Sequence, residues 1–292
     1  MALGGRCRVW ESVVGLKYND KYRVAKRDNM SHKEKFRKSL EEGYKKYLSI
    51  HTRSSEKIVP MHKCISEIIL QELGRASKDF SIKSKGIDDG KEFNLSGQYY
   101  SKNIDITILY KGTPISGLGF KFITSNYKQN SNNYFENMLG ETANVKRTDF
   151  LYGQILVFKH KMPYYSSDKK TFTKIEHINE ENLLKYLKLH KDNAPALYHK
   201  PDIMYLGFVE TGDEKAFETI TMSYSKGEVK KIEKSKFHRE QIKKVNVKFI
   251  KPSGLKDSKF STEMLDFLNK ISDFDAFIEA FVNLTKGKTY SR

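Results

Sequence analysis

The chain has 292 residues, 38% of them hydrophobic, and carries 53 Lys and Arg against 36 Asp and Glu, for a net charge of +17 and a pI near 9.5. That length can bury the core of one large domain, or of one with a subdomain; no run of about 18 apolar residues offers a membrane span, and the positive surplus attracts polyanions with strong salt dependence. Cys7 and Cys64 lack metal spacing and the eight histidines form no HExxH or CxxC-type pattern, which argues for free thiols in a reducing cytosol and against a preformed zinc site.

Residues 1–29 show no clear period and lack both the apolar core and the small-residue cleavage site of a signal peptide. They read as an irregular extension, with Met30 available as a second start. From 31 to 49, Phe36, Leu40, Tyr44, Tyr47 and Leu48 recur at helical spacing among lysines. A second helix runs from Cys64 and is closed by Gly74 in the manner of a C-terminal cap. Lys78 to Ile82 and Lys91 to Leu95 predict short strands around a loop from Gly86 to Gly90.

The next segment carries the chemistry. Asp105 opens an apolar strand, Ile106 to Tyr110; Lys111-Gly112-Thr113-Pro114 turns the chain; and Ile115 to Ile123 returns. Pairing Tyr110 with Ile115 sets Asp105 opposite Phe120 and beside Lys121. A carboxylate to hold a divalent cation and an ammonium to orient the attacking water are what metal-assisted phosphodiester hydrolysis needs. Residues 124 to 133 then read as a polar, amide-rich loop, Tyr134 to Arg147 as a helix, and Gln154 to Phe158 as a buried strand.

Strand, strand, helix, strand is the order of the PD-(D/E)xK nuclease core, and over roughly residues 60 to 165 the chain resembles type II restriction endonucleases of that superfamily. It departs from the pattern twice. Ile104 precedes Asp105 where the name-giving proline stands, and Gly119 lies two residues before Lys121 where the family has Glu or Asp. Some restriction enzymes of this superfamily carry the acid on the following helix instead. Glu136, 15 residues after Lys121, is the first candidate and Glu141 the second. Phe135, Met138, Leu139, Thr142 and Val145 form that helix's apolar stripe, with the two glutamates on opposite borders, about 140° apart. They cannot both reach one metal.

The resemblance implies an α/β fold: a PD-(D/E)xK restriction-endonuclease-like core with a central mixed β-sheet flanked by helices, and a helical C-terminal part. Residues 30–215 would form the catalytic core, and 216–292 a basic strand and helix region packed on it. It further implies a Mg²⁺-dependent, sequence-specific endonuclease of double-stranded DNA. Asp105, Glu136 and the Phe120 carbonyl would hold the metal and Lys121 would position the water, leaving 5′-phosphates. The family often adds an acid from the first helix, for which Glu67 is the candidate. A homodimer, a partner DNA methyltransferase acting on the same site, and a bacterial or archaeal cytoplasm come by the same analogy.

For base contact the amide-rich loop offers Asn126, Gln129, Asn130, Asn132 and Asn133, with Lys128 for phosphate or guanine. Asparagines also favour turns and helix caps for local reasons. Farther on, Glu180 to Leu189 reads as a helix, 194 to 201 as a linker, Ile203 to Val209 and Thr219 to Tyr224 as strands, and Thr262 to Leu284 as one or two helices. Twelve Lys or Arg against four acids between Lys226 and Lys259 suggest phosphate contact. A literal match to the motif, Pro201-Asp202 with Glu228-Val229-Lys230, competes with the hairpin, but a turn signal and a charged run stand where it needs a buried strand and a helix. Two other functions fit the same chain. One is a catalytically silent DNA-binding protein with a degenerate nuclease fold; the other is an RNA-binding or RNA-processing protein that stacks bases on Tyr99, Tyr100, Tyr127 and Tyr134.

Overall fold

The computed structural model describes residues 30–49, 55–146, 149–166, 171–194, 197–225, 234–255 and 259–290. The extension 1–29 and the motif Glu228-Val229-Lys230 lie outside the described residues, as does part of the basic stretch after Lys226. The unit beginning at His32 runs α1 (His32–Ser49), α2 (Val59–Leu73), β1 (Phe80–Ser84), β2 (Phe93–Ser96), β3 (Ser101–Ile104), β4 (Ile106–Tyr110), β5 (Thr113–Ile123) and α3 (Tyr127–Lys146). It continues with β6 (Leu151–Lys159), β7 (Lys161–Tyr165), β8 (Phe172–His177), α4 (Glu180–Lys191), β9 (Ile203–Glu210), α5 (Glu214–Ser225), α6 (Lys234–Gln241), β10 (Lys248–Phe249), α7 (Thr262–Ile271) and α8 (Phe274–Tyr290).

The fold is α/β, with a mixed central sheet of order β1-β4-β5-β6-β9-β10 and two small hairpins, β2–β3 and β7–β8. β5, β6 and β9 are parallel and the flanking pairs antiparallel. Side chains alternate across the middle strands. Ile155, Val157, Tyr205 and Val209 join a core with α1, α2 and α8, while Leu156, Phe158, Leu206 and Phe208 join a second core with α3, α4 and α7. Helices cover both faces, so β6 is buried along its whole length, and its stretch Ile155 to Phe158 reads in sequence as an apolar run. Among the described residues no helix is long and apolar enough to cross a membrane.

Four expectations change. The hairpin turns on two residues, Lys111 and Gly112, both at positive φ (48° and 80°) as a type I′ turn requires, so β5 begins at Thr113. Tyr110 therefore pairs with Thr113, the register slips between Ile108 and Leu109, and Ile106 pairs with Leu118. α3 starts at Tyr127, because Ser131 and Tyr127 are buried one and two turns ahead of the expected stripe and extend it backward; the amide-rich stretch is mostly helix. Residues 219 to 224 lie in α5, where Phe217, with Ala216 and Ile220, packs on Tyr165 and Phe172 at helical spacing.

Candidate metal centre

Asp105 sits on the bend between β3 and β4. Its neighbours fix that bend by entering different cores: Ile104 packs with Leu95, Val145, Phe150 and Tyr152, and Ile106 with the α1, α2 and α8 layer. The Phe120 N–H donates to Asp105 Oδ2 at 2.7 Å. The expectation had assigned the carbonyl of Phe120 to the metal; here the residue meets Asp105 through its amide. Burial raises the Asp105 carboxyl above its ordinary value, while the Phe120 N–H and the Lys121 ammonium favour the anion. Lys121 lies near enough to act on the Asp105 charge; the expected register, with Asp105 opposite Phe120, is replaced by one in which Ile106 pairs with Leu118.

Two residues missed in the sequence complete this corner. His62 from the first turn of α2 and Glu92 just before β2 each offer a ligand atom that, with one from Asp105, lies within 4.8 Å of the other two. The His62 ring stands edge-on to Phe120, centroids 5.6 Å apart. Glu92 pairs with Lys85 at 3.0 Å. The signal for His62 was its place on the buried face of α2 with Ile65, Ser66 and Ile69; a search for metal-ligand spacings within one stretch of sequence passes over it.

Gly119 has a steric reason. A Cβ there would stand 2.6 Å from the Tyr152 hydroxyl and 2.8 Å from the Gln154 side-chain amide, on the strand paired with β5. The volume an acid would need is filled. Of the two helix glutamates, Glu141 reaches the corner: it acts on the Asp105 charge and pairs with Lys102 at 2.6 Å. Glu136, the first candidate, is exposed and acts on Lys185 instead. Glu67 lies on the outer face of α2, half exposed, 3.9 Å from Lys63. Asp202 of the competing motif is occupied in the fold, accepting the Tyr152 N–H at 2.8 Å and pairing with Lys146 at 2.8 Å.

The proposed base-contacting side chains divide. Asn126 exchanges two bonds with the Tyr165 backbone, 2.8 and 3.0 Å, and Asn130 donates to the Asn126 carbonyl at 2.9 Å. Both hold the start of α3. Asn132 accepts from Lys185 at 3.0 Å on the exposed face, where Lys128, Gln129 and Asn133 also lie. Of the four tyrosines, Tyr127 is buried and Tyr134 stacks on it. Tyr99 and Tyr100 are 70% and 53% exposed at the tip of the β2–β3 hairpin, which the Asn144 side chain holds through Tyr99 N–H and the Tyr100 carbonyl at 2.9 Å each.

Burial lowers the His62 pKa to about 4. The unfolded chain, with its His near 6.5, therefore binds more protons between these values. In metal-free protein the stabilisation is complete above pH 6.5 and is lost as pH falls toward 4, by about 3 kcal/mol. Urea titrations in chelator are expected to show this slope, and His62→Leu to flatten it; equal slopes in the two proteins would contradict the assignment.

Comparison with protein-family models, curated proteins and solved structures returned no match.

Proposed function

We propose that the protein is a divalent-cation-dependent endonuclease of duplex DNA with a PD-(D/E)xK-like core, of the restriction-enzyme kind. The observation that carries this reading is the group of His62, Glu92 and Asp105 ligand atoms with Lys121 acting on the Asp105 charge, on the order α2, β1, β4, β5, α3 and β6 with the β2–β3 hairpin inserted after β1.

The donor set fits a divalent cation: two carboxylates and an imidazole whose ring nitrogens are buried without a hydrogen-bond partner. Asp105, Glu92 and His62 would hold it. When bound, such a cation supplies positive charge to a phosphate oxygen and lowers the pKa of a water. The chain's own groups do the rest. The Phe120 amide fixes one Asp105 oxygen, so the carboxylate is oriented before substrate arrives. The Lys121 ammonium offers a donor to the attacking water or a phosphate oxygen, and Lys85 and Lys102 add positive charge beside it. The net charge of +17 favours a polyanionic substrate.

The test is incubation of the full chain with long duplex DNA and with single-stranded RNA, in Mg²⁺ or Mn²⁺, beside Lys121→Ala and a chelator control. Expected are duplex fragments with 5′-phosphates from wild type alone. Duplex DNA bound but uncut in both metals would leave a silent DNA-binding protein. Faster loss of RNA than of DNA would favour the RNA reading, for which the exposed Tyr99 and Tyr100, at the tip of the hairpin whose other end holds Glu92 and Asp105, are the supporting observation.

A further inference from the structure

His62 is an anomaly as a core residue. It is fully buried, and neither Nδ1 nor Nε2 has a hydrogen-bond partner. A buried imidazole left this way gives up solvation without recovering a bond, a cost of about 1–3 kcal/mol. The nearest acceptors are not in hydrogen-bond contact with it, yet a ring nitrogen lies within 4.8 Å of ligand oxygens of both Glu92 and Asp105. Donors within 4.8 Å of one another need only a small inward side-chain rotation to meet a cation whose bonds are about 2.0–2.2 Å long.

We propose that His62, Glu92 and Asp105 form a three-ligand site selective for a transition-series divalent cation of the Mn²⁺ type, in place of the all-oxygen magnesium site expected from the sequence. Mg²⁺ demands oxygen donors and keeps several waters, whereas Mn²⁺, though also at home among oxygens, begins the first-row series along which affinity for nitrogen donors rises. A nitrogen donor in the set therefore costs Mg²⁺ affinity relative to Mn²⁺. The position of the ring supports this. Its edge-on contact with Phe120 fixes the plane of the imidazole, and the Phe120 N–H fixes the Asp105 carboxylate, so one residue of β5 orients two of the three ligands. Glu92 stands next to Asp105 at the open end of the β2–β3 hairpin and pairs with Lys85. The role of the ion in hydrolysis rests on the endonuclease reading above; its binding does not.

Binding is measured on the full chain without nucleic acid, titrating MnCl₂ or MgCl₂ alone by calorimetry. Wild type is expected to bind one Mn²⁺ at least about tenfold more tightly than Mg²⁺, a difference of about 1.4 kcal/mol. His62→Gln should lose that preference by weakening Mn²⁺ alone, and Glu92→Gln should weaken both. Because a core substitution can disturb folding, pulsed electron paramagnetic resonance of wild type with Mn²⁺ supplies a second readout: coupling to one imidazole ¹⁴N. Equal Mn²⁺ affinity in folded wild type and His62→Gln, or bound Mn²⁺ without nitrogen coupling, overturns the proposal. Nitrogen coupling in a protein that cuts no nucleic acid would uphold the metal site and remove the endonuclease reading.

Discussion

Asp105→Ala is expected to slow DNA cleavage by at least ~10³-fold, corresponding to about 4 kcal/mol of lost transition-state stabilisation. The size follows from what converges on one carboxylate. It belongs to the group of ligand atoms, it accepts the β5 amide that sets its orientation, and it is the anion on which Lys121 acts. Asp105→Asn separates these parts. The amide oxygen can still accept the Phe120 N–H and fill the same volume, so the fold should melt within about 1 kcal/mol of wild type, while the charge that holds a cation is gone. Single-turnover cleavage at saturating cation should therefore fall nearly as far in Asp105→Asn as in Asp105→Ala. Activity of the asparagine variant within tenfold of wild type would mean that the carboxylate is structural and that the metal centre lies elsewhere.

That Asp105 stands beside Phe120 was readable because a β-hairpin is local: strand alternation and a turn signal are enough to bring two residues fifteen positions apart together. The register was not readable to the residue. Pro114 looked like part of the turn but lies within β5, and the slip after Ile108 leaves no trace in sequence pattern. Both middle strands and the later half of α3 were legible from periodicity. The start of α3 was not, since asparagine density pointed to a loop while the buried Tyr127 and Ser131 carried the weaker helical signal. The remaining ligands were missed for different reasons. Glu92 and Asp105 flank the Phe93–Ile104 pair of the β2–β3 hairpin, a local juxtaposition that the sequence reading did not use, while His62 joins them from α2, where no spacing rule connects it to either. The choice between Glu136 and Glu141 likewise turned on which border of the α3 stripe faces β3, a matter of how the helix is rolled on the sheet.

The second large effect is expected far from this chemistry, where the last residue of β6 buries a charge. The Lys159 and Asp213 side chains are both fully buried and form an ion pair. Tyr44 of α1 donates to Asp213 Oδ2 at 2.6 Å and accepts from Lys159 Nζ at 3.1 Å, and Thr211 donates to Asp213 Oδ1 at 2.7 Å. The ammonium also lies 4.8 Å from the centroid of the Phe217 ring. Burial alone would raise the Asp213 carboxyl, but Lys159 and these hydrogen bonds hold it below its ordinary value. The carboxylate's contribution is therefore present above about pH 4 and disappears as pH falls through the depressed folded pKa. The network ties α1 to the ends of β6 and β9 and to the start of α5. Asp213→Asn keeps the shape but removes the nearer carboxylate of the Lys159 ammonium, leaving Glu214 at 3.7 Å, whose oxygens already accept from Thr211 and the Gly212 N–H. Breaking a buried pair in this way costs about 3–5 kcal/mol, a fall in Tm of about 10 °C for a chain of this size. Replacing both partners by apolar side chains, Lys159→Met with Asp213→Leu, removes the two desolvation costs together and should recover most of that loss. Thermal melts of the single and double variants form a cycle whose interaction energy measures the pair. A coupling below about 1 kcal/mol would show that water reaches the ammonium and that the tie between α1 and the sheet rests on the packing of Tyr44 rather than on its hydroxyl.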